Sequence, residues 1–125
     1  MTHDTPVIKA TDAVPAEEVE RCVDTTIQVL LGPDEVSCFY TRQFTIAPGG
    51  SIPAHRHDSI EHDQVMLAGE MVLTLAGQER TVTTGDVVYI PAGTAHAYRN
   101  DGDEPVRFLC IVPATAVYGT EWLDG

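Results

Sequence analysis

Basic side chains are scarce in this chain. Seven Lys and Arg stand against nineteen Asp and Glu, for a formal net charge of −12. Such an excess repels polyanions, which argues against nucleic acid or an anionic membrane as a partner and leaves solubility as the reading of the acid surplus. Long apolar runs are missing too. Nothing approaches the ~20 residues of a membrane span, and the start, "MTHDTPVIKATDAVPAEE", has neither a basic nor an apolar leader region. The expectation is a soluble, cytoplasmic protein. Cysteine is sparse: Cys22, Cys38 and Cys110 are odd in number and widely spaced, which fits neither a disulfide framework nor a CxxC zinc site. They are read as reduced thiols. Repeats, low-complexity tracts and linkers are absent, so the 125 residues are read as one domain, with 43 % apolar and 21 % charged residues as in ordinary globular chains.

What the chain does have is dense turn punctuation. From residue 36 onward the runs "VSCFYTRQFTIA", "QVMLAGE", "MVLTLAG", "QERTVTTGD", "VVYIPAG" and "VRFLCIVP" are separated by Gly, Pro, Asp and Asn. Many short strands at close intervals predict an all-β sandwich or barrel. Before them, Pro15, Glu17 and Glu18 look like the first turn of a short helix over 16–21. Thr25, Thr26, Ile27 and Val29 then favour a strand over about 24–31. The tail "ATAVYGTEWLDG" carries no assignable pattern, and Trp122 is expected to pack on the barrel rather than on a ligand.

Three of the five histidines fall within "HRHDSIEH", residues 55–62. On a strand, His55 and His57 point to the same face about 7 Å apart along the chain, so both imidazoles can meet one ion. An HxH pair alone is weak evidence, because surface histidines are common. The spacing around it says more. Gly49, His55, His57, His62 and Gly69 form one string, and Gly85, Pro91, Gly93, His96 and Asn100 form a second.

These strings resemble the two signature motifs of the cupin family, GxxxxxHxHxxxxExxxxxxG over 49–69 and GxxxxxPxGxxHxxxN over 85–100. The second matches at every fixed position. The first departs once, where His62 replaces the family's glutamate. The resemblance implies a cupin double-stranded β-helix, an antiparallel jelly-roll barrel, with 1–23 and 114–125 as peripheral segments. It also implies His55, His57, His62 and His96 as ligands of one divalent metal. Glu61 is the rival to His62. Alternation places His62, Gln64 and Met66 inside and Glu61, Asp63, Val65 and Leu67 outside, although a one-residue slip would exchange the two faces. The glycines, Pro91 and Asn100 are read as turn residues with no role at the metal.

Outside the motifs the chain looks like the small four-histidine monocupins that bind manganese. These place an arginine on the strand before motif one and a Phe-x-Cys on the last barrel strand, here Arg42, and Phe108 with Cys110. An arginine on an apolar strand face implies an anion, or an ion pair with one of the many carboxylates. Arg42, Gln64 and Cys110 are the candidate catalytic residues, and Phe44, Met66, Tyr98 and Phe108 the candidate pocket walls. Imidazoles suit Zn, Cu, Fe and Ni, and Mn is also feasible; the resemblance favours Mn or Fe. The leading expectation is oxygen-dependent, dioxygenase-like oxidation of a small, partly apolar organic substrate. The alternatives are a non-redox cyclase, isomerase or lyase, and a ligand-binding module without turnover. Exposed barrel edges predict a homodimer.

Overall fold

The computed structural model describes residues 4–115 and 119–123. Among them the chain forms β1 (Glu17–Glu18), β2 (Val23–Leu31), β3 (Phe39–Arg56), β4 (His62–Ala68), β5 (Glu70–Leu75), β6 (Gln78–Thr83), β7 (Val87–Ile90), β8 (His96–Arg99), β9 (Val106–Pro113) and β10 (Glu121–Trp122), with one 3-10 turn at Thr11–Ala13. Every pairing of these strands is antiparallel, in the order β6-β5-β8-β3-β9-β4-β7, with β2 and β10 also on β3 and β1 on β2. This is the jelly-roll barrel of the sequence reading.

The sheet curls because β3 changes partner along its length. Its first half pairs with β9 from Phe39↔Pro113 to Ile46↔Val106, and its second half pairs with β8 from Ser51↔Arg99 to His55↔His96. The corner between the halves falls at Gly49 and Gly50. Gly49 has φ +83°, and a Cβ on Gly50 would sit 2.7 Å from the Val23 carbonyl oxygen, so the bend needs both glycines. Asn100, 1 % exposed, ties the corner down by donating Nδ2–H to the carbonyls of Ile46 and Glu104, each at 2.9 Å, while its Oδ1 accepts from the Gly102 amide. The sequence reading saw Asn100 only as the start of a turn.

Strand alternation builds the core. On β9, Val106, Phe108, Cys110 and Val112 are buried and Arg107 and Pro113 are exposed between and after them, the period expected of a strand with one wet face. With Ile46, Ile52, Met66, Met71, Leu73 and Tyr98 they form one contiguous apolar cluster.

The predicted helix over 16–21 does not form. Glu17 and Glu18 pair instead with Ile27 and Thr26, and Arg21 (φ 67°) and Asp24 (φ 45°) take left-handed backbone that no helix tolerates. A helix of six residues would leave most of its amide and carbonyl groups unpaired, whereas docking on β2 satisfies several of them. The strand predicted from 24 begins one residue earlier, at Val23. Of the tail left unassigned, residues 116–118 and 124–125 lie outside the described residues, and Glu121–Trp122 is a strand.

Candidate metal centre

At one end of the barrel the last residues of β3 and the first residues of β4 and β8 converge. His55 lies opposite His96 in the β3–β8 register, His57 follows β3 directly, and His62 opens β4. One possible ligand atom from each of His55, His57 and His96 lies within 4.8 Å of the other two. His62 is not in that set, yet its ring packs against two of them, its centroid 5.1 Å from that of His57 and 5.2 Å from that of His96.

Hydrogen bonds set the tautomers of the first three. Nδ1 of His55 lies 2.8 Å from the Pro53 carbonyl oxygen, Nδ1 of His96 2.9 Å from that of Thr94, and Nδ1 of His57 3.1 Å from that of Gly119. A carbonyl can only accept, so each Nδ1 carries the proton and the lone pair sits on Nε2. The Thr94 carbonyl is in place because Gly93, at φ +83°, turns the chain sharply and donates its amide to the His57 carbonyl at 2.8 Å. His62 differs: its Nδ1 is buried without a partner among the described residues.

Burial keeps all four rings neutral. Loss of solvent lowers the pKa of His55 and His57, and drives His96 down to about 4 and His62 to about 3, with neighbouring imidazoles adding to the shifts of His57, His62 and His96. Neutral imidazoles offering a nitrogen lone pair are the donors a divalent metal takes, and the buried His62 Nδ1, without a partner among the described residues, is a polar atom such an ion could satisfy. The cluster fits such an ion by the chemistry of its donors.

Behind the histidines is a cavity of about 250 Å³. Its floor is a column of three near-parallel rings, Phe44 on Phe108 at 5.3 Å and Phe108 on Tyr98 at 5.2 Å, each pair inclined by 14°. Arg42 reaches in over Phe44, with its guanidinium carbon 5.4 Å from the ring centroid, and donates Nη2–H to Cys110 Sγ at 3.2 Å. Gln64 Nε2 donates to the Tyr98 hydroxyl at 2.7 Å and approaches Cys110 Sγ at 3.5 Å, while Gln64 Oε1 is buried without a partner among the described residues. Whichever way the amide is turned, one end meets Tyr98 and the other is unsatisfied. Burial, and then the nearby Cys110, hold the Tyr98 phenol protonated. Ile27, Ile52, Val19, Cys22, Thr120 and Trp122 complete the wall, and no carboxylate is among the described residues that line it.

Most sequence-predicted positions gather here: the four histidines, Arg42, Gln64, Cys110, Phe44, Tyr98 and Phe108. Met66 does not. It is 2 % exposed in the core cluster and absent from the cavity wall, because the β4 face that carries it continues inward past Gln64 into the packed interior. Glu61 is exposed and accepts the Tyr89 hydroxyl at 2.6 Å, so the register that favours His62 is the one adopted. The sequence reading missed Gly119, Thr120 and the inward role of Trp122. Trp122 does pack on the barrel, opposite His55 on β3, yet its ring also lies 5.0 Å from the His55 ring at the cavity wall. No periodicity marks a two-residue strand, so only the lone tryptophan hinted at docking.

The family described as the cupin domain matches residues 42–112. This chain belongs to the cupin family. Among solved structures this cupin is similar to the polyketide cyclase RemF from Streptomyces resistomycificus, at 28 % identity and a TM-score of 0.85 over 96 % of this chain and 88 % of that one. Among curated proteins it is similar to a gentisate 1,2-dioxygenase from Ralstonia sp, 26 % identical over 118 residues that make up 92 % of this chain. It is also similar to a glucose-6-phosphate isomerase from Pyrococcus horikoshii, 34 % identical over 124 residues that make up 92 % of this chain. The cupin spans 33 and 60 % of those two proteins' own lengths. Relatives of different reaction types share the fold, so reaction type has to be argued from the site.

Proposed function

We propose that this cupin is a metal-dependent enzyme acting on a small, flat, oxygen-bearing organic anion by non-redox enolate chemistry such as cyclisation or isomerisation. The observation that carries the reading is the cavity wall: four imidazoles, the cationic Arg42, a column of stacked rings and no carboxylate among the described lining residues. In this reading His55, His57, His62 and His96 hold one divalent ion. Mn or Fe follows from the four-histidine resemblance, and Zn, Ni and Cu also suit imidazole. When bound, the ion supplies a Lewis acid that polarises a substrate oxygen and acidifies the adjoining carbon.

The chain's own residues do the rest. Arg42 binds the anionic end through charge-assisted hydrogen bonds. Phe44, Phe108 and Tyr98 hold the flat body and keep water from it. The Gln64 amide end that has no partner among the described residues fixes a substrate hydroxyl or carbonyl, and the Tyr98 hydroxyl beside it, held protonated by burial, donates a hydrogen bond to a developing enolate or alkoxide oxygen. Cys110 Sγ, buried and accepting from Arg42, anchors the guanidinium rather than attacking substrate. The similarity to a polyketide cyclase over nearly the whole of both chains favours this chemistry. A small-molecule partner and a homodimer are part of the same proposal.

A second reading, oxygen-dependent oxidation of the same kind of substrate, is favoured by the similarity to gentisate 1,2-dioxygenase. The deciding experiment reconstitutes metal-free protein with Zn, Mn or Fe and offers aromatic β-keto acids and hydroxyaromatic acids under argon and under air. Product analysis and an oxygen electrode read the outcome. Zinc-supported turnover under argon is expected. Turnover confined to Fe or Mn with oxygen uptake moves the assignment to the second reading, and saturable binding without product from any metal leaves a binding module.

A further inference from the structure

The three clustered histidines are not held alike. His55 and His96 each give Nδ1–H to a carbonyl two residues earlier, Pro53 and Thr94, so their orientation is set within their own strand and turn. His57 gives its Nδ1–H to Gly119, 62 residues away, and the Thr120 hydroxyl oxygen lies 3.2 Å from the same nitrogen. This support comes from outside residues 42–112, the part of the chain that matches the family.

The segment that supplies it is anchored independently at several points. Glu121 and Trp122 pair with Arg56 and His55, and the Leu123 amide donates to the Ala54 carbonyl at 2.9 Å. Glu121 forms an ion pair with Arg56 at 2.9 Å. Trp122 is covered on one side by Arg21, whose guanidinium carbon is 4.7 Å from its ring, and it faces His55 at 5.0 Å. Residues 119–123 therefore lie as a strap along both histidines of the HxH pair, touching one by hydrogen bond and the other by ring contact.

We infer that the strap 119–123 is a working part of the metal site: the Gly119 carbonyl and Thr120 hydroxyl position His57 for ligation, and strap docking and metal binding reinforce each other. The inference rests on the metal-site reading. His57 is half-buried at the barrel rim, so an undocked strap takes away the Gly119 and Thr120 contacts and lets the ring sample rotamers and tautomers that do not ligate. Groups that orient a metal-binding histidine through its second nitrogen typically change affinity by about 10–100-fold. Linkage makes the effect reciprocal, so the factor by which the docked strap raises metal affinity is the factor by which metal favours the docked strap.

The test uses the full chain and zinc in competition with a chromophoric chelator. Thr120→Val and Trp122→Ala are each expected to raise the zinc dissociation constant, by about tenfold for the stronger of the two, and to have little further effect in a His57→Ala background. A merely structural strap would act additively with His57→Ala. A second measurement needs no variant: amide exchange at Leu123 in the wild-type protein should slow when zinc is added. If the wild type binds zinc but both variants stay within twofold of it, and Leu123 exchange ignores zinc, the strap inference falls and the metal site stands. A wild type that binds neither zinc nor manganese overturns both.

Discussion

The two faces of β4 carry opposite chemistry within one heptapeptide. His62, Gln64 and Met66 are 3, 3 and 2 % exposed, whereas Asp63 between them and Leu67 after them face solvent, with Leu67 41 % exposed. Glu61, one residue before the strand, is exposed as well. The same contrast holds for the molecule: a surface rich in carboxylates surrounds a cavity whose described lining has none. The difference teaches what the barrel interior selects. An ionised carboxylate loses far more on leaving water than an imidazole, which can shed its proton and enter neutral. A glutamate at the inner position needs a metal to compensate its charge or must hold a proton against its ordinary pKa, whereas His62 is neutral there with or without the ion.

That comparison is most severely tested from the inside. Phe108→Ala removes the central ring of the stacked column and should cost about 3–5 kcal/mol of unfolding free energy, read as a shift in denaturant midpoint. A loss below about 1 kcal/mol would mean that the column is not part of a rigid core.

His55→Ala or His96→Ala comes next. Each should lower metal affinity by at least about 100-fold, beyond what groups outside the ligand shell contribute, and elemental analysis of the purified protein should find the ion nearly absent. Retention of stoichiometric metal in both would refute the clustered-histidine site.

Proton linkage gives a third, graded measure. In the metal-free protein His96 and His62 titrate near 4 and 3, below the ordinary histidine value of about 6.5. Between those folded values and 6.5 the unfolded chain binds more protons than the folded one, so stability must rise with pH across that window and level off above it. Midpoints of metal-free protein from pH 4.5 to 8 should show the rise, and His62→Phe should shrink it. A flat profile would place the imidazoles in water.

The smallest effect belongs to the outer face. Glu61→Gln should change stability by less than about 0.5 kcal/mol and leave metal content untouched, since the carboxylate meets only the exposed Tyr89 hydroxyl in the described contacts. Loss of metal in this variant would reverse the assignment of the two faces.

Much of this was legible before folding. Alternation on β4 and β9, glycines at Gly49, Gly69, Gly85 and Gly93 that all take positive φ, and the histidine spacings led to the barrel and to most of its cavity wall. The reading stumbled where local signals were thin. Glu17 and Glu18 carry helix-start chemistry, yet their backbone groups found partners on β2, a choice visible only once β2 was placed. Met66 shares its face with Gln64, but depth along the barrel, which alternation cannot report, put it in the core.

By itself the sequence determined the strand period, the turns and the residue types that can meet inside, because these follow from side-chain alternation and from the backbone freedom of glycine. Only the tertiary structure decided that His57 leans on Gly119, that Trp122 faces His55 and that Arg42 meets Cys110. Those contacts join residues dozens of positions apart, and no local rule of spacing or propensity reaches that far. They exist because the barrel closes.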